Sequence, residues 1–213
     1  MPIEQFRQAA ALIEDKILKT PLVNSPALSR MFGGEIYLKL ENLQKTGSFK
    51  IRGATFKLLK CMDKIGPGGV VAASAGNHAQ GVALAARQLG IPANIVMPEW
   101  VSITKEEATL KYGGQVVISG HSIGESLDEA HRLSLEGRLF IHPFDDADVI
   151  TGQGTVGLEI FDVMPNPDVV VVPVGGGGLI SGLAGVGRAM APGRHVIGVQ
   201  TAGCRSAYDA RLA

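Results

Sequence analysis

Apolar residues recur along this chain in two rhythms. Between Ile3 and Leu18, Phe6, Ala10, Ile13 and Ile17 fall on one face, which predicts an amphipathic helix. Lys19-Thr20-Pro21-Leu22 must then leave it extended, because a residue before proline is pushed out of the helical region. Ser25-Pro26 predicts a short helix with serine as N-cap and proline at its first position, ending at Gly33-Gly34. Glu35 to Glu41 sets Ile36, Leu38 and Leu40 against Tyr37 and Lys39, the alternation of a strand. From Phe49 to Met62 helical spacing returns with Ile51, Ala54, Leu58, Leu59 and Met62, and Ser48 is the expected N-cap.

Beyond this point strand and helix alternate. Runs rich in valine and isoleucine predict strands at Val70–Ala73, Asn94–Met97, Gln115–Ile118, Leu139–His142, Asp168–Val174 and His195–Val199. Helical patterns separate them at Asn77–Leu89, Ser102–Tyr112, Ser122–Glu136, Asp148–Val163 and Leu179–Met190. Such alternation implies an α/β fold with parallel sheets covered by helices, and ligands in the crevice beyond the carboxyl ends of the strands. No repeat, low-complexity tract or linker marks a domain boundary.

Composition narrows the function classes. With 213 residues and 46% hydrophobic content the chain can form one large domain or two small ones around a sizeable core. Twenty basic and 20 acidic residues balance, and no basic run interleaved with aromatics is present, so a nucleic-acid partner is not expected. Met1 to Arg30 carries charges throughout, which predicts neither signal peptide nor membrane anchor, and hence a cytoplasmic protein with no membrane partner. Cys61 and Cys204 belong to no Cys-x-x-Cys pair; two reduced thiols are expected, with a disulfide left open. His121, His131, His142 and His195 lack metal-ligand spacing, and Trp100 is expected to pack. Glycine is the unusual residue: there are 28, clustered at strand ends.

Three clusters carry candidate chemistry. The first is Thr46-Gly47-Ser48-Phe49-Lys50-Ile51-Arg52-Gly53-Ala54, which places Lys50 at a helix start beside an aromatic. A cation there opposes the helix dipole and burial penalises its charge, so the neutral, nucleophilic amine is favoured. The second is Ser74-Ala75-Gly76-Asn77-His78, a strand-to-helix turn whose free amides suit a carboxylate. On its own the segment serves equally well as an ordinary turn capped by Ser74 or Asn77. The third is Gly175-Gly176-Gly177-Gly178-Leu179, where an apolar strand runs into four glycines and a helix, letting several amides converge on a phosphate. It lacks the Gly-Lys-Ser/Thr of a P-loop. A phosphorylated aldehyde, pyridoxal 5'-phosphate, accounts for all three.

These motifs resemble those of the fold-type II pyridoxal-phosphate enzymes, specifically the serine/threonine dehydratases. Ser48 to Ala54 is similar to the cofactor-lysine motif, Ser74 to His78 to the substrate-carboxylate loop, and Gly175 to Gly178 to the phosphate loop; Pro143-Phe144-Asp145 and Gly152-Gln153-Gly154-Thr155 also fit. The resemblance implies a tryptophan synthase β-like fold of two parallel-type open sheets, with a small domain (43–148) inserted in a large one (1–42 and 149–213). The large domain is expected to be incomplete at Ala213. It further implies that Lys50 holds the cofactor as a Schiff base and Phe49 packs on its ring. Asn77 would bond the ring's 3′-oxygen, and Gly175, Gly176, Gly177, Gly178 and Leu179 would bind its phosphate.

The implied activity is dehydration and deamination of L-threonine or L-serine to a 2-oxo acid and ammonia. The substrate carboxylate would sit on Ser74, Ala75, Gly76, Asn77 and His78, and the cofactor phosphate would protonate the leaving hydroxyl. His78 can instead simply brace the helix start. Serine racemases are similar but carry serine at position 75 as an acid/base on the opposite face; alanine moves no proton, which favours elimination. Gln200 and Ser206 stand where relatives with a cation site supply acidic ligands, so no metal is expected. A homo-oligomer is expected. The alternatives are an amino-acid racemase or hydroxyaspartate-type lyase of the same fold, or an inactive module that binds cofactor or phosphate.

Overall fold

The computed structural model describes residues 1–212. The strand-helix alternation builds a parallel sheet in the order β5-β4-β3-β6. Its strands are β3 (Val70–Ala73), β4 (Ala93–Met97), β5 (Gln115–Ile118) and β6 (Leu139–Phe140). Val70 pairs with Ala93 on one side and Leu139 on the other, and Asn94 pairs with Gln115. Between these strands run α4 (Asn77–Gln88), α5 (Ile103–Lys111) and α6 (Ile123–Ser134). Each strand points one side-chain row at each face. Val70, Ala72, Ile95 and Met97 pack with Val82, Ala85 and Ala86 of α4, while Val71, Ala73 and Val96 pack with Ala130 and Leu133 of α6.

A second parallel pair, β7 (Val169–Pro173) and β8 (His195–Val199), is joined by α8 (Gly178–Met190) and backed by α7 (Ala147–Val163). Val172 packs with Val156, Ile160 and Leu183 on the covered face. The all-apolar run at 168–174 reads as a buried strand, but only one face of the pair is covered; Val171 is 63% exposed and Val199 55%. The first helix, α1 (Ile3–Ile13), lays Phe6 against Leu158, Phe161 and Val186.

Several local expectations change. α1 stops at Ile13 rather than Leu18; the amides of Lys16 and Ile17 both turn back to the Ile13 carbonyl, and Ile17 is buried from a turn. α2 (Pro26–Phe32) ends as expected at Gly33, which is left-handed at φ +71°. Leu22–Asn24 forms β1, antiparallel to β2 (Tyr37–Lys39), a pairing that local pattern alone does not show. In β2 the alternation breaks at Leu38 and Lys39. Leu38 is exposed and Lys39 turns inward, because its ammonium pairs there with Glu159. A last helix, α9 (Ser206–Leu212), lies beyond the elements that periodicity predicts.

The helix that matters most for the site is α3 (Lys50–Lys60). Ser48 does not cap it. The N-cap is Phe49, with no side-chain cap bond, and the buried Ser48 Oγ finds no hydrogen-bond partner among the described residues. The first turn is held from the side instead. Gly53 N–H donates to Gln153 Oε1 of α7 at 3.1 Å, and a Cβ on Gly152 would lie 2.6 Å from Gly53 Cα. On the other flank a Cβ on Gly81 of α4 would lie 3.0 Å from the Ile51 amide. Glycines at 53, 81 and 152 let three helices approach this closely.

Cys61 is buried and Cys204 exposed, and both are free thiols. Among the described residues no helix is long and apolar enough to cross a membrane.

Candidate active site

Lys50 opens α3, and its side chain is largely withdrawn from solvent. Its Nζ donates to the Pro143 carbonyl at 2.6 Å and lies 5.5 Å from the centre of the Phe49 ring. Burial disfavours the ammonium and lowers its pKa to about 8. A lysine so placed has a much larger neutral fraction near pH 7 than a surface lysine, as nucleophilic and base chemistry require.

Facing it is the turn from β7 into α8. Gly177 is left-handed at φ +91°, a conformation L side chains rarely adopt. A Cβ on Gly176 would fall on the Phe144 ring, and one on Gly178 would lie 2.9 Å from the Phe144 carbonyl. The turn is therefore built of glycine because Phe144 occupies the neighbouring space. Its residues open α8 with no side-chain cap, so the first-turn amides are free for an external anion.

Phe49, Lys50, Phe144, Gly175, Gly176, Gly177, Gly178 and Leu179, with Val199 and Thr201, line one cavity of about 330 Å³. Of the residues singled out from sequence, this cavity brings together the lysine, the aromatic and the glycine loop. Ser74, Ala75, Gly76, Asn77 and His78 do not line it. They form the turn from β3 into α4, at the carboxyl edge of the four-stranded sheet.

In that turn neither Ser74 nor Asn77 acts as the N-cap. Gly76 does, without a side-chain cap bond, and its own N–H donates to Ser74 Oγ at 3.1 Å. The amide of Gly76 is thus already engaged, while Asn77 stands exposed at the helix start. Ala75 is nearly buried. His78 is 3% exposed and its Nε2 lies 3.0 Å from the Ile141 carbonyl, which makes Nε2 the protonated nitrogen. Burial, reinforced by the charge of Lys50, lowers its pKa to about 3. A neutral imidazole bonded to backbone is a brace between α4 and the strand-end segment at Ile141, one of the two roles left open by sequence.

The segment 142–146, to which spacing alone assigns no chemistry, proves central. His142 Nδ1 accepts the amides of Asp145 at 2.7 Å and Phe144 at 3.3 Å, folding the segment into a tight turn. That turn presents the Pro143 carbonyl to Lys50 and the Phe144 ring to the glycine loop. Asp146 then caps α7 and, with Asp148, pairs with Lys57 of α3. Trp100, expected to pack, is 59% exposed, its Nε1 donating to the His121 carbonyl. Among the described residues no group of three or more His, Cys, Asp and Glu side chains could hold a metal.

The residues present fit a phosphorylated aldehyde: a buried amine with a lowered pKa, an aromatic beside it, and a glycine cup for an anion in the same cavity. The sequence profile of the pyridoxal-phosphate dependent enzymes matches residues 13–213, and the chain belongs to that family. Within it the chain is similar to the serine/threonine dehydratases of fold type II. It is 52% identical over 200 residues to the L-threonine ammonia-lyase of Thermotoga maritima, an alignment covering 93% of this chain and 50% of that protein. Among solved structures, maize serine racemase superposes with a TM-score of 0.94 at 37% identity, covering 99% of this chain and 64% of the other. Threonine deaminase isoform 2 of Solanum lycopersicum, in its processed form, superposes at 0.86 with 40% identity, covering 93% and 55%. The chain spans about half the length of the curated relatives it matches.

Proposed function

We propose that this chain carries the cofactor lysine, phosphate cup and substrate loop of a dehydratase that converts L-threonine, L-serine or both to a 2-oxo acid and ammonia. The observation that carries the reading is the buried Lys50 amine facing the Gly175–Gly178 turn across one cavity. When bound, pyridoxal phosphate supplies an electron sink for the pair left at Cα.

The residues of the chain do the rest. Amides of Gly175 to Gly178 and Leu179 would hold the phosphate, with the α8 dipole favouring negative charge. Phe49, beside the Lys50 amine, would pack against the ring, and Asn77 would bond its 3′-oxygen. The Ser74 hydroxyl, which already accepts the Gly76 amide, and the remaining amides of the turn from Ala75 to His78 would hold the substrate carboxylate. Lys50, once its amine is free, removes the Cα proton, and the Pro143 carbonyl orients the amine and accepts a hydrogen bond from its protonated form. The β-hydroxyl, once protonated, would leave as water, and hydrolysis of the resulting enamine would give the 2-oxo acid and ammonia. Ala75 offers no proton on the opposite face, which supports elimination over racemisation although serine racemases are structural neighbours.

The same reading divides the chain into a large part, 1–42 with 149–213, and a small part, 43–148. It places the protein in the cytoplasm, with an amino-acid substrate, without a nucleic-acid partner, and in association with further copies of itself. The exposed Val23, Met31, Phe32 and Leu43 on and beside the β1-β2 hairpin support that association.

The test is incubation with pyridoxal phosphate and L-threonine or L-serine, trapping the 2-oxo acid as a hydrazone. Wild type is expected to release it and Lys50→Ala to release none; equal release by both would overturn the reading.

A further inference from the structure

Arg52 lies two residues after Lys50 and is completely buried, yet it touches no wall of the cavity. Its guanidinium grips two carboxylates at once. Nε and Nη2 donate to Glu41 at 2.8 Å each, and Nη1 and Nη2 donate to Glu159 at 2.6 and 3.0 Å. Nη1 also reaches Thr155 Oγ1 at 3.2 Å and Nη2 the Leu18 carbonyl at 3.3 Å. Every nitrogen of the guanidinium is directed at an acceptor, the geometry that only the planar arginine fork provides. Burial works against the charge, but the two carboxylates outweigh it and raise the pKa of Arg52.

A buried charge of this kind is weak evidence for stability, because desolvation offsets most of the attraction. Its location supplies a different reason. Lys50 sits in a helical turn that has no side-chain cap, and uncapped first turns fray. The groups that hold this turn come from elsewhere: Glu159 and Thr155 on α7, Gln153 at the Gly53 amide, and Glu41 beyond β2. Arg52 is the side chain within the turn that reaches α7 and Glu41 together.

We propose that Arg52 is a positioning residue for Lys50: its double carboxylate grip pins the uncapped first turn of α3 to α7, and so keeps the Lys50 amine against the Pro143 carbonyl inside the cavity. This rests on the reading of Lys50 as the cofactor lysine, but it can be tested without cofactor. Displacing an amine by about 1 Å is enough to lose about a hundredfold in a reaction that depends on its placement.

The experiment is competitive labelling of the cofactor-free protein with trace acetic anhydride across pH 6–11 (about that span covers an ordinary lysine). Mass spectrometry then reads the titration midpoint and reactivity of Lys50 against other lysines. The groups facing Lys50, His78 and His142, are both pushed toward neutrality, first by burial, so the curve reports Lys50 itself. Arg52→Lys keeps the charge and removes the fork. With far-ultraviolet circular dichroism unchanged, its Lys50 midpoint is expected to move up by about one unit toward the ordinary lysine value as the amine gains water. Borohydride trapping of pyridoxal phosphate on Lys50 should slow about tenfold or more.

A merely structural role would lower the melting temperature and leave the Lys50 curve where it is; a folded Arg52→Lys with a wild-type midpoint overturns the proposal. If that variant does not fold, Gln153→Met, which removes the acceptor at Gly53 while keeping bulk, is read the same way. Its wild-type curve would overturn the pinning of the turn from α7, and a raised midpoint would support it. Failure of wild type to trap cofactor at all would refute the function above while the labelling curves still decide the role of Arg52.

Discussion

The Lys50 amine donates a 2.6 Å hydrogen bond to the Pro143 carbonyl, so a residue 93 positions away in sequence holds the amine of a side chain that lines the cavity. The carbonyl gives the protonated amine an acceptor, while burial lowers its pKa to about 8. An unfolded lysine titrates at about 10.4. Between pH 8 and that value the unfolded chain binds the extra proton, so stability rises with pH across this window and is lowest below it. Lys50→Met should therefore stabilise the chain at pH 7 by up to about 3 kcal/mol and flatten the rise, as read from urea midpoints at pH 7, 9 and 10. A variant less stable than wild type at pH 7 would contradict the burial argument.

His78 titrates with the same sign in a lower window. Its folded pKa of about 3 lies below the unfolded value, burial being the main cause. Stability is thus lost as pH falls from about 6.5 toward 3, because only the unfolded chain then takes up the proton. His78→Gln, which keeps an N–H donor for the Ile141 carbonyl, should remove that part of the acid sensitivity. Denaturation midpoints at pH 7 and pH 4 measure it: the gap between them narrows in the variant.

Gly176 is required by its neighbour rather than by its backbone angle, since a Cβ there falls on the Phe144 ring. Gly176→Ala should weaken pyridoxal phosphate binding by about 1–3 kcal/mol through overpacking. Adding Phe144→Leu should recover part of the loss, because the ring is what the methyl meets. Equilibrium dialysis of the cofactor distinguishes this from a backbone effect, which the second substitution would not relieve.

Ala75 is nearly buried in the Ser74–His78 turn and carries no titratable atom. If a proton donor on that face is all that separates elimination from inversion, Ala75→Ser should produce D-serine from L-serine at a rate above the wild-type background. Chiral chromatography of the amino acid after incubation reads the outcome.

Much of the fold was legible because parallel strands packed under helices are written as Val/Ile-rich runs. Val70–Ala73, Gln115–Ile118 and His195–Val199 begin and end at the expected residues. The glycine turn at 175–178 was legible for the same local reason. Long-range partners were not. Nothing near Lys39 in sequence indicates that it turns inward to Glu159, 120 residues away. Nothing near Ser48 shows that α3 is held by Gln153 instead of by its own cap. The parts Pro143 and Phe144 play depend on a turn folded around His142 Nδ1, a bond that periodicity cannot display.

The central claim is that Lys50 is the residue that takes the cofactor aldehyde. The direct measurement is borohydride reduction of the wild-type chain with pyridoxal phosphate, followed by peptide mass spectrometry. A single reduced pyridoxyl adduct on Lys50, blocked by excess inorganic phosphate competing at Gly175–Gly178, is the predicted result. Adducts spread over surface lysines with Lys50 unmodified would contradict it.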